Sequence, residues 1–112
     1  MPFIDTKLSI KLSETQKIDL KTALGKAISV MNKPETYLMV GIVDGYDLFL
    51  GGQKLDKGAF VSVQVLGEVN AKQSDDMTAE ISKALAKFDI PSENVYVNYQ
   101  GFRDWGHNGH NF

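Results

Sequence analysis

The sequence predicts an α+β protein, an α/β sandwich in which two pseudosymmetric βαβ units form one four-stranded mixed sheet with two helices on one face. Three observations lead there. The chain has 112 residues, the size of one ordinary domain, and its 43% hydrophobic and 23% charged residues fall in the globular range, outside that of disordered chains. It also repeats internally. Sliding Pro34 onto Pro91 lays Phe3 and Ile4 on Phe60 and Val61, Leu8 on Val65, and Val40 on Val97. In the helical stretches Leu20, Leu24, Ile28 and Met31 fall on Met77, Ile81, Leu85 and Phe88. Few pairs are identical, so the repeat, about 2–50 and 59–99, is structural. Lastly, each copy reads strand, helix, strand, and right-handed crossovers carry both helices to the same side of the sheet.

In the first copy, Phe3 to Leu8 is a short strand. Ser13-Glu14-Thr15-Gln16 is a capping box, in which the Ser oxygen and the Gln side chain each accept an otherwise unpaired N–H. Ile18, Leu20, Ala23, Leu24, Ala27, Ile28 and Met31 then recur at helical spacing as one apolar face. Asn32-Lys33-Pro34 stops the helix, because the residue before a proline avoids helical angles. Tyr37 to Val43 is almost continuously apolar, as in a strand buried on both faces. Asp44-Gly45 turns the chain, Leu48 to Leu50 reads as a short edge strand, and Gly51-Gly52 breaks it.

The second copy opens with a strong strand, Ala59 to Leu66. Asn70 is the expected N-cap of a helix that turns Met77, Ile81, Ala84, Leu85 and Phe88 inward. Asn94 to Tyr99 is the last long strand, and Gly101 to Phe112 is a Gly- and Asn-rich tail. Helices on one side leave the other sheet face uncovered. Apolar residues from the Phe60-Val61-Ser62-Val63 run are expected there, to be buried against copies of the same chain.

Twelve Lys and Arg against fourteen Asp and Glu give a formal charge of −2. No basic cluster stands out, so neither nucleic acid nor a membrane is expected as a partner. The absence of cysteine excludes disulfides, thiolate metal sites and thiol nucleophiles. No apolar run is long enough to span a bilayer, and the start, Met1-Pro2-Phe3-Ile4-Asp5, lacks signal-peptide regions. The expected location is the cytoplasm, with export by a route that needs no signal peptide left open. His107 and His110 have only Asp104 nearby as a further ligand, so no metal is expected. Gly51-Gly52 lacks the Lys-Ser/Thr of a phosphate loop. Standing alone, Lys33 is a favourable cation at a helix C-terminus, and Tyr37 and Phe112 read as core.

Several segments, in order along residues 1–112, change that reading: Met1-Pro2, Asn32-Lys33-Pro34 with Tyr37, Phe49-Leu50-Gly51-Gly52, Val65-Leu66-Gly67, Val95-Tyr96-Val97-Asn98-Tyr99, and Asp104-Trp105-Gly106-His107-Asn108-Gly109 before Phe112. With these the chain resembles the tautomerase superfamily, in the branch of macrophage migration inhibitory factor and D-dopachrome tautomerase. The resemblance implies a homotrimer whose sheets line a central barrel, with active sites between subunits and no cofactor. It implies that Pro2 is the catalytic acid/base once Met1 is removed, and that Lys33 and the Leu66 backbone N–H bind the carboxylate or enolate oxygen of a small aromatic α-keto acid. Asn98 and Tyr96 would come from the adjacent subunit, and Tyr37, Trp105 and Phe112 would line the pocket.

The chemistry is sound on its own terms. A free α-amine titrates at about 7.7–8.0, and burial or a neighbouring ammonium lowers that value, leaving a base at neutral pH. The function implied is a cofactor-independent keto–enol tautomerase of the phenylpyruvate or dopachrome type. The alternative is a cytokine-like protein that engages a receptor, with the pocket ancillary. The chain departs from the family pattern at His107, where some members carry Trp or Phe, and at His110-Asn111, where a Ser-Thr or Asp-Thr step is common.

Overall fold

Two strands of strictly alternating burial define the centre of the molecule. A computed structural model describes the whole chain, Met1–Phe112. In order it forms strand β1 (Pro2–Leu8), helix α1 (Glu14–Ala27), strands β2 (Met39–Val43), β3 (Phe49–Leu50), β4 (Gln53–Lys54) and β5 (Ala59–Leu66), helix α2 (Ala71–Ala86), and strands β6 (Val95–Phe102), β7 (Gly106–His107) and β8 (His110–Asn111). Pro2, Ile4, Thr6 and Leu8 of β1, and Ala59, Val61, Val63 and Val65 of β5, point to one face and are buried. The main sheet runs β2-β1-β5-β6. β1 and β5 pair antiparallel, and each outer strand is parallel to its inner neighbour.

Both helices cover the buried face. Leu20, Leu24 and Ala27 of α1, with Ile28 and Met31 of the 3-10 turn that follows, meet Met77, Ile81, Ala84 and Leu85 of α2 above the valines. Fully burying each such Leu or Ile contributes about 1.5–3 kcal/mol. Thr6, the buried polar residue of this core, is satisfied because its hydroxyl donates to the Gly41 carbonyl at 2.7 Å. Ser13 and Gln16 form the expected capping box, and Asn70 accepts from the N–H groups of Lys72 and Gln73. No helix is long and apolar enough to cross a membrane.

Three expectations are corrected. Ile18 is 58% exposed, because it precedes buried Leu20 by two residues and so sits about 200° around the helix. The run Tyr37 to Val43 is not a strand buried on both faces. Glu35–Tyr37 is a 3-10 turn, and β2 is an edge strand whose Met39 and Val43 are exposed. The uncovered sheet face is mixed, not apolar. Period two sends Val61 and Val63 to the helices, leaving Phe60, Ser62 and Gln64 on the open side with an Asp5–Lys7 ion pair at 2.8 Å. The short strand expected at Leu48 to Leu50 is present as Phe49–Leu50. Phe49–Leu50 pairs with Gln53–Lys54 around Gly51-Gly52, and the tail forms a second ribbon.

Candidate functional site

The site begins where the first residues meet the end of β5. Antiparallel pairing sets Pro2 opposite Val65, and the Leu66 N–H, one residue on, donates to the Met1 carbonyl at 3.0 Å. Lys33 reaches the same place from the far end of α1. Asn32 adopts a left-handed conformation (φ 59°) that ends the 3-10 turn, and the Lys33 ammonium then donates a long bond to the Leu66 carbonyl at 3.5 Å. Leu66 is thus held on both backbone groups. Burial, reinforced by the Lys33 charge, holds the amine of Met1 below the ordinary value for a chain terminus, since both oppose its cation.

The opposite wall comes from the C-terminus. Asn108 and Gly109 both have positive φ, 55° and 87°, the conformation of the two-residue turn that Asn-Gly favours. That turn pairs His107 with His110, and the Phe112 N–H donates to the Trp105 carbonyl at 3.1 Å. The ribbon lays Trp105, Gly106 and His107 across from Thr36–Met39, closing a cleft of about 470 Å³ that Met1, Pro2, Phe3 and Gln64 also line. Tyr37 meets the His107 ring edge-on, with centroids 6.5 Å apart, while Phe112 lies parallel to it at 6.3 Å.

Of the residues singled out from sequence, Pro2, Tyr37 and Trp105 line this cleft, and Lys33 and Leu66 adjoin its N-terminal end. Phe112 does not line it; the ring packs on His107 and is 63% exposed. The Leu66 N–H, expected to be free for substrate, is taken by Met1. Tyr96 and Asn98 lie elsewhere. They pair with Phe60 and Ser62, which face Lys7 and Asp5 of β1. At about 3.3 Å per residue, Tyr96 is some 16 Å further along the sheet than Pro2. It lines a small apolar cavity of about 70 Å³ with Phe49, Leu50 and Phe60. His107 was missed as a cleft residue. The cue was Asn108-Gly109, the strongest short hairpin signal in a sequence. No three metal-ligating side chains converge anywhere, and two grooves of similar size between α1 and α2 lie among Ala23, Ala84, Lys26 and Lys87, away from the terminus.

A doubled βαβ chain that presents its N-terminal amine in a cleft, beside a lysine and an aromatic wall, has the plan that the resemblance to macrophage migration inhibitory factor implies. The family model for macrophage migration inhibitory factor (MIF) matches residues 1–112, and the chain belongs to that family. A macrophage migration inhibitory factor homolog of Trichuris trichiura is 31% identical over 104 residues, covering 89% of this chain and 90% of the relative. The crystal structure of Leishmania major MIF2 superposes with a TM-score of 0.93 at 32% identity, covering 100% of this chain and 97% of that one. A MIF-like protein from Entamoeba histolytica gives a TM-score of 0.89 at 23% identity, covering 99% and 98%.

Proposed function

We propose that the protein is a cofactor-independent keto–enol tautomerase acting on aryl α-keto acids of the phenylpyruvate type. The observation that carries this reading is the chain terminus in the cleft: the Met1 amine has its proton affinity lowered there by burial and by Lys33, and Pro2 lines the same cleft. Removal of Met1 converts the Pro2 nitrogen from an amide into a secondary amine at the cleft wall. That amine takes the proton from the enol oxygen as the C=O forms and gives a proton to the carbon next to the carbonyl, or runs the reverse, and no redox change is needed. The same cleavage takes away the Met1 carbonyl, so the Leu66 N–H becomes a free donor beside the Lys33 ammonium. Together they hold the substrate carboxylate and the charge that develops on oxygen. Trp105 and Tyr37 supply flat surface for the ring.

Tyr96 and Asn98 take part only from another subunit, given their distance from Pro2 along the sheet. A homotrimer with sites between subunits meets that requirement. The test is the initial rate of phenylpyruvate enol-to-keto conversion by protein verified by mass to begin at Pro2. A rate well above buffer that collapses in Pro2→Gly and weakens in Lys33→Ala is expected. Its absence from a correctly processed assembly moves the reading to a cytokine-like binding protein.

A further inference from the structure

We infer that the furrow between α1 and α2 is a docking site for an amphipathic helix of another protein, one that carries carboxylates near the middle of its length. This surface lies on the outer side of the helical layer and is independent of the tautomerase reading. An assembly built through the open sheet face leaves it exposed.

The two grooves between the helices, of about 430 and about 440 Å³, share Ala23, Lys26, Ala84 and Lys87, so they form one furrow. It runs from Gln16 and Phe88 at one end to Val30 and Glu80 at the other. At about 1.5 Å per residue along α1 that is roughly 20 Å, or about four helical turns. Its floor is Ala23, Ala27 and Ala84, small enough for a third helix to approach to the usual packing distance. Half-buried Val30 and Phe88 offer apolar surface at the two ends, and the lysine stems add more along the walls. Charge selects the helix. Exposed Lys26 and Lys87 stand astride the middle and form no ion pair, whereas Lys83 is already paired with Glu80 at 3.2 Å. The slide that lays Pro34 on Pro91 also lays Lys26 on Lys83 and Ala27 on Ala84, so both walls repeat a lysine beside an alanine. The chain as a whole carries −2, which makes the centre of the furrow a local exception. Asp19 and Glu80 sit towards its two ends. A continuous polyanion would meet a carboxylate at each end, and a second copy docked furrow to furrow would bring the central lysines together. A helix with Asp or Glu at its centre and neutral or basic ends meets neither repulsion, and an apolar stripe at helical spacing seats it on the alanines.

The probe is a capped synthetic helix of about five turns, with Leu at i, i+3, i+4 and i+7 spacing and Glu flanking the central turn, compared with the same helix bearing Lys in place of Glu. Each is titrated into the full chain and followed by fluorescence anisotropy and by amide chemical shifts. Saturable binding is expected, with shifts centred on Ala23, Lys26, Ala84 and Lys87. The acidic helix should bind roughly tenfold more tightly than the basic one, as two partly exposed charge pairs give. Lys26→Glu combined with Lys87→Glu should reverse the order of the two helices, a result that a merely misfolded variant would not produce. Ala23→Leu, which fills the floor and leaves the charge alone, should weaken the binding of both. Equal binding of the two helices, an order unchanged in the double variant, shifts centred elsewhere, or no saturation with either helix overturns the assignment. Tighter binding of a single-stranded oligonucleotide at the same lysines overturns it as well, by giving the furrow to polyanions.

Discussion

The N–H of Leu66 donates to the carbonyl of Met1 at 3.0 Å, so the first residue of the chain fills a donor position that a substrate oxygen would use. The same residue ties up the Pro2 nitrogen in a peptide bond. Under the proposed tautomerase reading, one cleavage therefore uncovers a base and a hydrogen-bond donor together. The Leu66 amide is expected to be protected from hydrogen exchange in the chain that keeps Met1 and to lose that protection in the chain that starts at Pro2, with Val63 and Ile4 unchanged. Tautomerase activity should follow the second form only. Equal protection in both forms would mean that Leu66 has another partner and is no substrate donor.

The Met1 amine of the unprocessed chain makes a separate prediction. Burial lowers its proton affinity most, and the Lys33 charge lowers it further. Lys33→Ala removes only the second cause, so the amine should titrate at a higher pH than in the wild type and still below an ordinary terminus. The sign for stability follows. The folded amine binds its proton less readily than the unfolded one, so its contribution favours folding above both values and declines as the pH falls through the unfolded and then the folded value. Amine-selective acylation against pH, read by mass spectrometry on both proteins, checks the shift. A titration that stays put in Lys33→Ala would remove Lys33 from the electrostatics of the site.

Gly101 controls the backbone that carries Leu66. A Cβ placed on Gly101 would run into the carbonyl of Gly67, the residue after Leu66, and the Gly67 N–H is bonded to the Phe102 carbonyl at 2.8 Å. Backbone cannot swing aside as a side chain can, so Gly101→Ala must shift either β6 or the turn after β5. The expected cost is about 1–3 kcal/mol, read as a fall in the denaturant midpoint without a change in slope. A variant as stable as the wild type would show that the turn yields freely.

Legibility in the sequence followed the range of the forces. The Ser13–Gln16 box and the Asn70 cap are local and were readable as strings of four residues. The core was readable too, because repeat partners such as Leu24 and Ile81, or Ile4 and Val61, obey the same periodicity and are all buried. Alternation also held the facing of the sheet's open side, yet the Phe60–Val63 run was read as a block and not by its period, so the Asp5–Lys7 pair and Ser62 there went unforeseen. The cleft lies beyond any local signal. Pro2 and Trp105 come from opposite ends of the chain and meet only because the Asn108-Gly109 turn folds the tail against Tyr37. Only the family resemblance joined those residues in advance.

The strand register yields the most direct test of a site shared between subunits. Pro2 lies opposite Val65, while Asn98 is aligned with Ser62 and through it with Asp5. Three residues along the strands and two strands across, at about 3.3 Å and about 4.8 Å per step, put roughly 14 Å between the two positions within one chain. No Asn side chain spans that. If the pocket is completed by a neighbouring copy, an assembly mixed from Pro2→Gly and Asn98→Ala chains contains some sites with an intact Pro2 from one subunit and an intact Asn98 from the next. Unfolding the two variants together and refolding them should therefore restore phenylpyruvate turnover well above the sum of the separately refolded proteins. The gain should peak near equal proportions and vanish when both substitutions sit in the same chain. Should the mixture merely match that sum while native mass spectrometry shows mixed assemblies, Asn98 plays no part in a shared site.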